Sequence, residues 1–195
     1  PTAPADGGRY SDVAKNAWYY DAVEYVSKPV YEGYDYGLMD GGVDGKFSPN
    51  ANADRATIVT ALCRRFNFDV EKNPSYEKIF SDVPEKLISV VYWAVTSNIV
   101  TGYGNGTFGP YDPVTREQFA VMLYRYIESK GEWRDKSPRA DLSLYTDSNQ
   151  ISSWAKEAMS WANASGYITG KTSTTLDPKG NITRAEVATI LLRLY

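Results

Sequence analysis

The chain has 195 residues, 43% of them hydrophobic, so it can bury a substantial core. A net charge of −3 leaves no basic surplus to neutralise phosphates, which argues against nucleic acid as a partner. There is no histidine and a single cysteine, Cys63; the usual proton shuttle, the commonest metal ligand, Ser-His or Cys-His triads and an internal disulfide all fall away. No apolar run reaches the roughly 18 residues that a membrane-spanning helix needs.

The opening residues, PTAPADGGR (1–9), read as a linker or a processed end. Tyr10-Ser11-Asp12-Val13 then opens a unit that spans 10–70. Trp18, Ala22, Val23 and Val26 fall on one stripe at helical spacing, which predicts a short first helix. KPVYEGYDYG (28–37) carries a seven-residue insertion read as a surface loop. GGVDGKFSP (41–49) supplies an Asp-Gly turn, and Asp54-Arg55 starts a second helix with Ile58, Val59, Leu62, Cys63 and Phe66 on its apolar face. Cys63 sits on that face as a small core residue.

After a polar linker (71–79), the pattern returns in a unit at 80–128. Phe80-Ser81-Asp82-Val83 opens it, and Val90, Val91 and Ala94 mark its first helix. GYGNGTFGP (102–110) is its loop, and Phe119, Ala120, Leu123, Tyr124 and Ile127 line its second helix. A further linker (129–144) leads to a third unit at 145–195. Tyr145-Thr146-Asp147-Ser148 opens this one, Trp154, Ala158, Met159 and Ala162 mark its first helix, and GKTSTTLDP (170–178) is a loop without the Asp/Asn-Gly turn. Val187, Ala188, Leu191, Leu192 and Tyr195 form its second apolar face.

Spacing ties the units together. Arg55, Arg116 and Arg184 each follow a glycine (Gly41, Gly102, Gly170) by fourteen residues and a proline (Pro49, Pro110, Pro178) by six. Each unit is helix, glycine loop, helix, about 50 residues long and too small to bury a core alone, so the units pack on one another. They either close around a pseudo-threefold axis with grooves between neighbours or stack in an open row.

The arginines pose the functional question. TREQ (115–118) and TRAE (183–186) fit a capping box, while DRAT (54–57) keeps a capping Asp without the long reciprocal partner. The box accounts for Thr and Glu but not for Arg, whose charge has the wrong sign for the first turn of a helix. One reading pairs each arginine with a neighbouring Asp12, Asp82 or Asp147. The other makes guanidinium, backbone amides and helix dipole a site for a carboxylate. GYGNG lacks the Lys-Ser/Thr of a phosphate loop, DGGVDG (40–45) lacks the ligands of a calcium loop, and no Asp–Glu pair stands out as a glycosidase centre. No enzyme activity, cofactor or metal is indicated.

These motifs resemble the S-layer homology family, with its F-x-D-V opening, its G-x-x-x-G-x-F-x-P loop and its I-T-R-A-E helix start, over residues 10–195. The resemblance implies a mostly α fold of three helix–loop–helix repeats, packed as a pseudo-threefold trimer around a central three-helix bundle. It implies an extracellular anchor, held on the bacterial cell wall by secondary cell-wall polysaccharide ending in pyruvylated N-acetylmannosamine. It also implies attachment to a larger S-layer protein or exoenzyme. The binding arginines would be Arg55, Arg116 and Arg184. Trp18 and Trp154 would stack on sugar or fill the core. Asp12, Asp82 and Asp147 would accept sugar hydroxyls or cap first helices. Gly41, Gly102 and Gly170 would admit a ligand to the backbone or permit the turn, with Tyr103 and Lys171 as copy-specific contacts. The three grooves should be unequal, with fewer than three binding tightly. A structural or protein-interaction module without glycan binding is the alternative.

Overall fold

A computed structural model describes residues 8–30, 36–66, 76–131 and 138–194. Parts of the expected linkers (1–7, 71–75 and 132–137), the end of the first unit (67–70), the middle of the inserted loop (31–35) and Tyr195 lie outside them. Among the described residues six α-helices and four short 3-10 turns account for the regular structure. Unit 1 contributes α1 (Tyr20–Val26) and α2 (Arg55–Arg65), unit 2 α3 (Ile88–Thr96) and α4 (Arg116–Ser129), and unit 3 α5 (Lys156–Ala164) and α6 (Arg184–Arg193). Among the described residues there is no sheet, only three isolated antiparallel bridges, so the fold is mostly α.

The apolar stripes explain why these segments are helical. Ala22, Val23 and Val26 of α1, Val90, Val91 and Ala94 of α3, and Ala158, Met159 and Ala162 of α5 are all buried. Ile58, Val59, Leu62 and Cys63, then Phe119, Ala120, Leu123 and Ile127, then Val187, Ala188 and Leu191 form the buried faces of α2, α4 and α6. Burial pushes the Cys63 thiol up to about 12, so this cysteine is an inert core group.

Two tryptophans depart from the expected stripes. Trp18 precedes α1, and Trp154 lies in a 3-10 turn (Ser153–Ala155) ahead of α5; both are exposed, at 68% and 57%. The core tryptophans are instead Trp93 and Trp161. The first helices begin about two residues later than the periodicity suggests, which moves Trp18 and Trp154 off the buried face.

The second helix of each unit packs on the first helix of the next: α2 on α3, α4 on α5, and α6 back on α1. These pairings are more extensive than any between the three second helices. At the junction, Ala53 N–H donates to the Ile182 carbonyl (2.9 Å), Ile182 N–H to Val114 (2.9 Å) and Val114 N–H to Ala53 (3.1 Å). Three residues, all two positions before their arginine and all fully buried, thus form a closed backbone circuit. An open row would leave α1 and α6 apart.

Candidate functional site

Each second helix starts against the loop of the following unit. The first two amides of an α-helix have no partner within it. In α2, Arg55 N–H donates to Asp112 and Ala56 N–H to Pro110. In α4, Arg116 and Glu117 donate to Gly180 and Pro178; in α6, Arg184 and Ala185 donate to Ala51 and Pro49. The amides of the third helical residue are capped locally, by Asp54 on Thr57 and by full capping boxes at Thr115/Gln118 and Thr183/Glu186. The amides expected to help bind an anion are therefore already committed.

The arginines are committed in the same direction. Arg55 donates from Nε to the Phe108 carbonyl (2.9 Å) and from Nη2 to Thr101 (2.6 Å). Arg116 repeats this on Leu176 (2.9 Å) and Thr169, and Arg184 on Phe47 (2.9 Å) and Asp40 (2.7 Å). Each guanidinium clamps both ends of its neighbour's glycine loop. A cation at this helix start is explained by the two carbonyl dipoles facing it. Arg55 and Arg184 also lie over the rings of Phe108 (4.4 Å) and Phe47 (4.7 Å). Burial pushes all three guanidinium pKa values down, and nearby Asp, Glu or Tyr groups pull them back.

The aspartates do not cap the first helices. Asp12 accepts from the amides of Phe47 and Ser48 (2.9 and 2.8 Å), Asp82 from Phe108 and Gly109 (2.8 and 2.7 Å), and Asp147 from Leu176 and Asp177 (2.9 and 2.7 Å). They staple the loop of their own unit. None caps a first helix through its side chain, and among the described residues none makes an ion pair with an arginine. For Asp82 and Asp147 burial opposes ionisation, but the paired amide bonds outweigh it and hold both carboxyls below the usual range. The second stapled residue, Ser48, Gly109 or Asp177, has a left-handed backbone with φ of 57°, 69° or 53°.

The loop glycines serve packing. A Cβ on Gly41, Gly102 or Gly170 would strike the ring of Tyr10, Phe80 or Tyr145, the aromatic that opens each unit, and also a carbonyl of the same loop.

Between units lie three related grooves. Groove A, about 300 Å³, is lined by Arg55, Thr101, Gly102, Tyr103, the α4 residues Gln118, Val121, Met122 and Arg125, and Trp154. Groove B, about 320 Å³, is lined by Arg116, Gly170, Lys171, the α6 residues Glu186, Thr189, Ile190 and Arg193, and Trp18. Groove C, about 250 Å³, has Arg184 with Thr57, Thr60 and Arg64 of α2, and takes Tyr111 and Lys86 where the others have tryptophan. Groove A therefore unites four expected residues (Arg55, Gly102, Tyr103, Trp154), and groove B four more (Trp18, Arg116, Gly170, Lys171). Gly41, Asp12, Asp82 and Asp147 line none of the three. A further cavity of about 350 Å³ borders unit 1's inserted segment, with Lys28, Pro29 and Val30, and contains no helix-start arginine.

The grooves differ in what faces the arginine. In groove B, Arg116 Nη1 is bound by Glu186 Oε1 (2.9 Å), which also takes Lys171 Nζ (2.7 Å). Burial opposes the Glu186 charge, but Lys171, the Thr183 amide and Arg116 together pull its carboxyl below the ordinary range. In groove A the matching position is Gln118, whose oxygen accepts from Thr115 N–H, and Arg55 Nη1 has no hydrogen-bond partner among the described residues. Tyr103 lies under Arg55 (5.2 Å) with its hydroxyl on Asp112 (2.8 Å). Among the described residues Arg184 Nη1 likewise has no hydrogen-bond partner in groove C, but Asp40 there binds Arg64 (2.6 Å).

Sequence reasoning missed a second repeated arginine. Arg64, Arg125 and Arg193 each follow the first by nine residues. Nine residues make two and a half turns, which puts the pair on opposite faces of one helix and in two different grooves. The constant spacing was a signal available in the sequence.

The S-layer homology domain pattern matches residues 9–58, 79–120 and 144–188. The chain is 27% identical over 187 residues to an amylopullulanase of Thermoanaerobacterium thermosulfurigenes, covering 95% of this chain and 9% of that protein. It is 26% identical over 172 residues to the surface-layer 125 kDa protein of Lysinibacillus sphaericus (87% and 14%). It is 27% identical over 162 residues to a cellulosome-anchoring protein of Acetivibrio thermocellus (80% and 35%). The chain thus spans a tenth to a third of the length of these relatives.

Proposed function

The chain belongs to the S-layer homology domain family, and from that premise we propose that it is a non-catalytic module that anchors a larger protein to the bacterial cell surface. Similar proteins include a surface-layer protein, a cellulosome-anchoring protein and an amylopullulanase, each matched over a minor part of its length. A shared module on such different proteins is an attachment device, and the place of attachment is the extracellular wall. We take the three units as 10–70, 80–128 and 145–195, joined by linkers, with the cargo outside them.

The ligand of this reading is secondary cell-wall polysaccharide ending in an acid-bearing sugar such as a pyruvylated N-acetylmannosamine. Groove A is the principal site. The observation that carries this is the Arg55 guanidinium, held by two carbonyls and a tyrosine ring with Nη1 left uncommitted, in a cavity walled by exposed Trp154. Nη1 donates to the ligand carboxylate, and Trp154 covers the apolar sugar face. Groove B, where Glu186 occupies Arg116, is weaker for an acidic ligand.

A second reading has one observation in its favour: every helix-start arginine clamps a loop, so its repetition is also explained by assembly alone. On that reading the module joins proteins and leaves the glycan unread. Sedimentation of the protein with purified cell walls, before and after chemical removal of the wall polysaccharide, separates the two. Glycan anchoring is expected to give cosedimentation that is lost on stripping and weakened in Trp154→Ala. Cosedimentation that survives stripping overturns it.

A further inference from the structure

We propose that groove A reads two acidic groups, one at Arg55 and a second at Arg125, so that its ligand is a glycan segment carrying negative charges on neighbouring sugars. This rests on the glycan reading of groove A above and specifies the ligand class.

Gln118, Val121, Met122 and Arg125 all line the groove and are spaced i, i+3, i+4 and i+7, so one face of α4 forms its wall. Gln118 corresponds to Glu186, the residue that touches the arginine of groove B, and so marks the Arg55 end of the wall. Arg125 stands seven residues further, two turns or about 10 Å along the helix. One carboxylate cannot span that distance, whereas two linked sugars can.

The three repeats make Arg125 the exception among its counterparts. Arg193 donates to the Gly166 carbonyl (2.8 Å), and Arg64 is taken by the Gly37 carbonyl and the Asp40 carboxylate. In both grooves the chain's own oxygens already satisfy the outer arginine. Arg125 is exposed and has no such partner among the described residues.

The acids near this groove are engaged elsewhere: Asp112 by the Tyr103 hydroxyl, and Asp82 by two loop amides. Groove A therefore has two cations and, among its described lining residues, no carboxylate, in a chain whose net charge is negative. Exposed Trp154 lines the same cavity and offers a stacking face.

The test uses the whole chain and three synthetic disaccharides with the same sugars, bearing no, one or two carboxylates. Binding is read from the indole N–H resonance of Trp154, which reports groove A. The di-acid is expected to bind about threefold to fivefold tighter than the mono-acid, the scale of a partly exposed ion pair. In Arg125→Gln that ratio should fall to about one, and Arg125→Lys should restore part of it. A mono-acid that binds while the ratio is one in the parent, or is unchanged in Arg125→Gln, overturns the two-acid proposal and leaves the one-acid reading intact. Failure of all three disaccharides to shift Trp154 overturns both.

Discussion

Grooves A and B have the same plan and nearly the same volume, yet they face an acidic ligand differently. At the third residue of the wall helix, groove A has Gln118 and groove B has Glu186. Both side chains reach back to close a capping box, so the helix start is equally well served. The remaining atom makes the difference. The second oxygen of Glu186 bridges Arg116 and Lys171, whereas an amide nitrogen there adds a donor to a donor-rich site. Two side chains of the same shape thus turn one groove into a self-neutralised contact and leave the other with an open cation.

The largest effect should come from deleting the arginine itself. Arg116→Ala removes a buried loop clamp and one of the two cations that hold half-buried Glu186; a loss of about 2–4 kcal/mol in unfolding free energy is expected. Arg55→Ala, which leaves only carbonyls unpaired, should cost about 1–3 kcal/mol. Equal midpoints in urea would break the comparison. Next, Trp154→Ala should weaken binding to polysaccharide-bearing walls about tenfold, and Trp18→Ala clearly less, as measured by sedimentation. Equal losses would mean that groove B carries as much of the load.

Glu186→Gln should give groove B the character of groove A. Calorimetry with an acid-bearing glycan fragment is expected to count one more tight site than in the parent, and an unchanged count would show that Glu186 does not control access. The smallest effect is on acid stability. Asp82, Asp147 and Glu186 have folded-state pKa values below the usual carboxylate range, so the folded state favours their ionised forms. Their contribution is complete above about pH 5 and is lost as pH falls through 4 and below. Thermal melts should show this decline in the parent, with a shallower fall in Glu186→Gln because that variant lacks one of the three groups.

Much of this architecture was legible in the sequence, because it is written in side chains at fixed periods. The repeats, most of the apolar positions of the six helices and the two capping boxes follow from spacing alone. The partners of Arg55, Arg116 and Arg184 were not legible, since they are backbone carbonyls, which every residue carries and no sequence distinguishes. For the same reason Asp12, Asp82 and Asp147 resembled helix caps or sugar ligands, while their partners are amides 26 to 36 positions away. Trp18 and Trp154 were placed ambiguously between core and sugar because a helix that starts two residues late keeps the same periodic signature. Tyr103 and Lys171, singled out only by their place after the loop glycine, do stand beside their arginines.

The circuit of Ala53, Val114 and Ile182 has no privileged starting point. Because α6 returns to α1, a circular permutant with its new ends in the segment between units 1 and 2, and the old ends joined, would keep each interface intact. Removing any one unit would instead leave an unpaired amide and an unpaired carbonyl on the survivors, so two units cannot close the circuit that three complete.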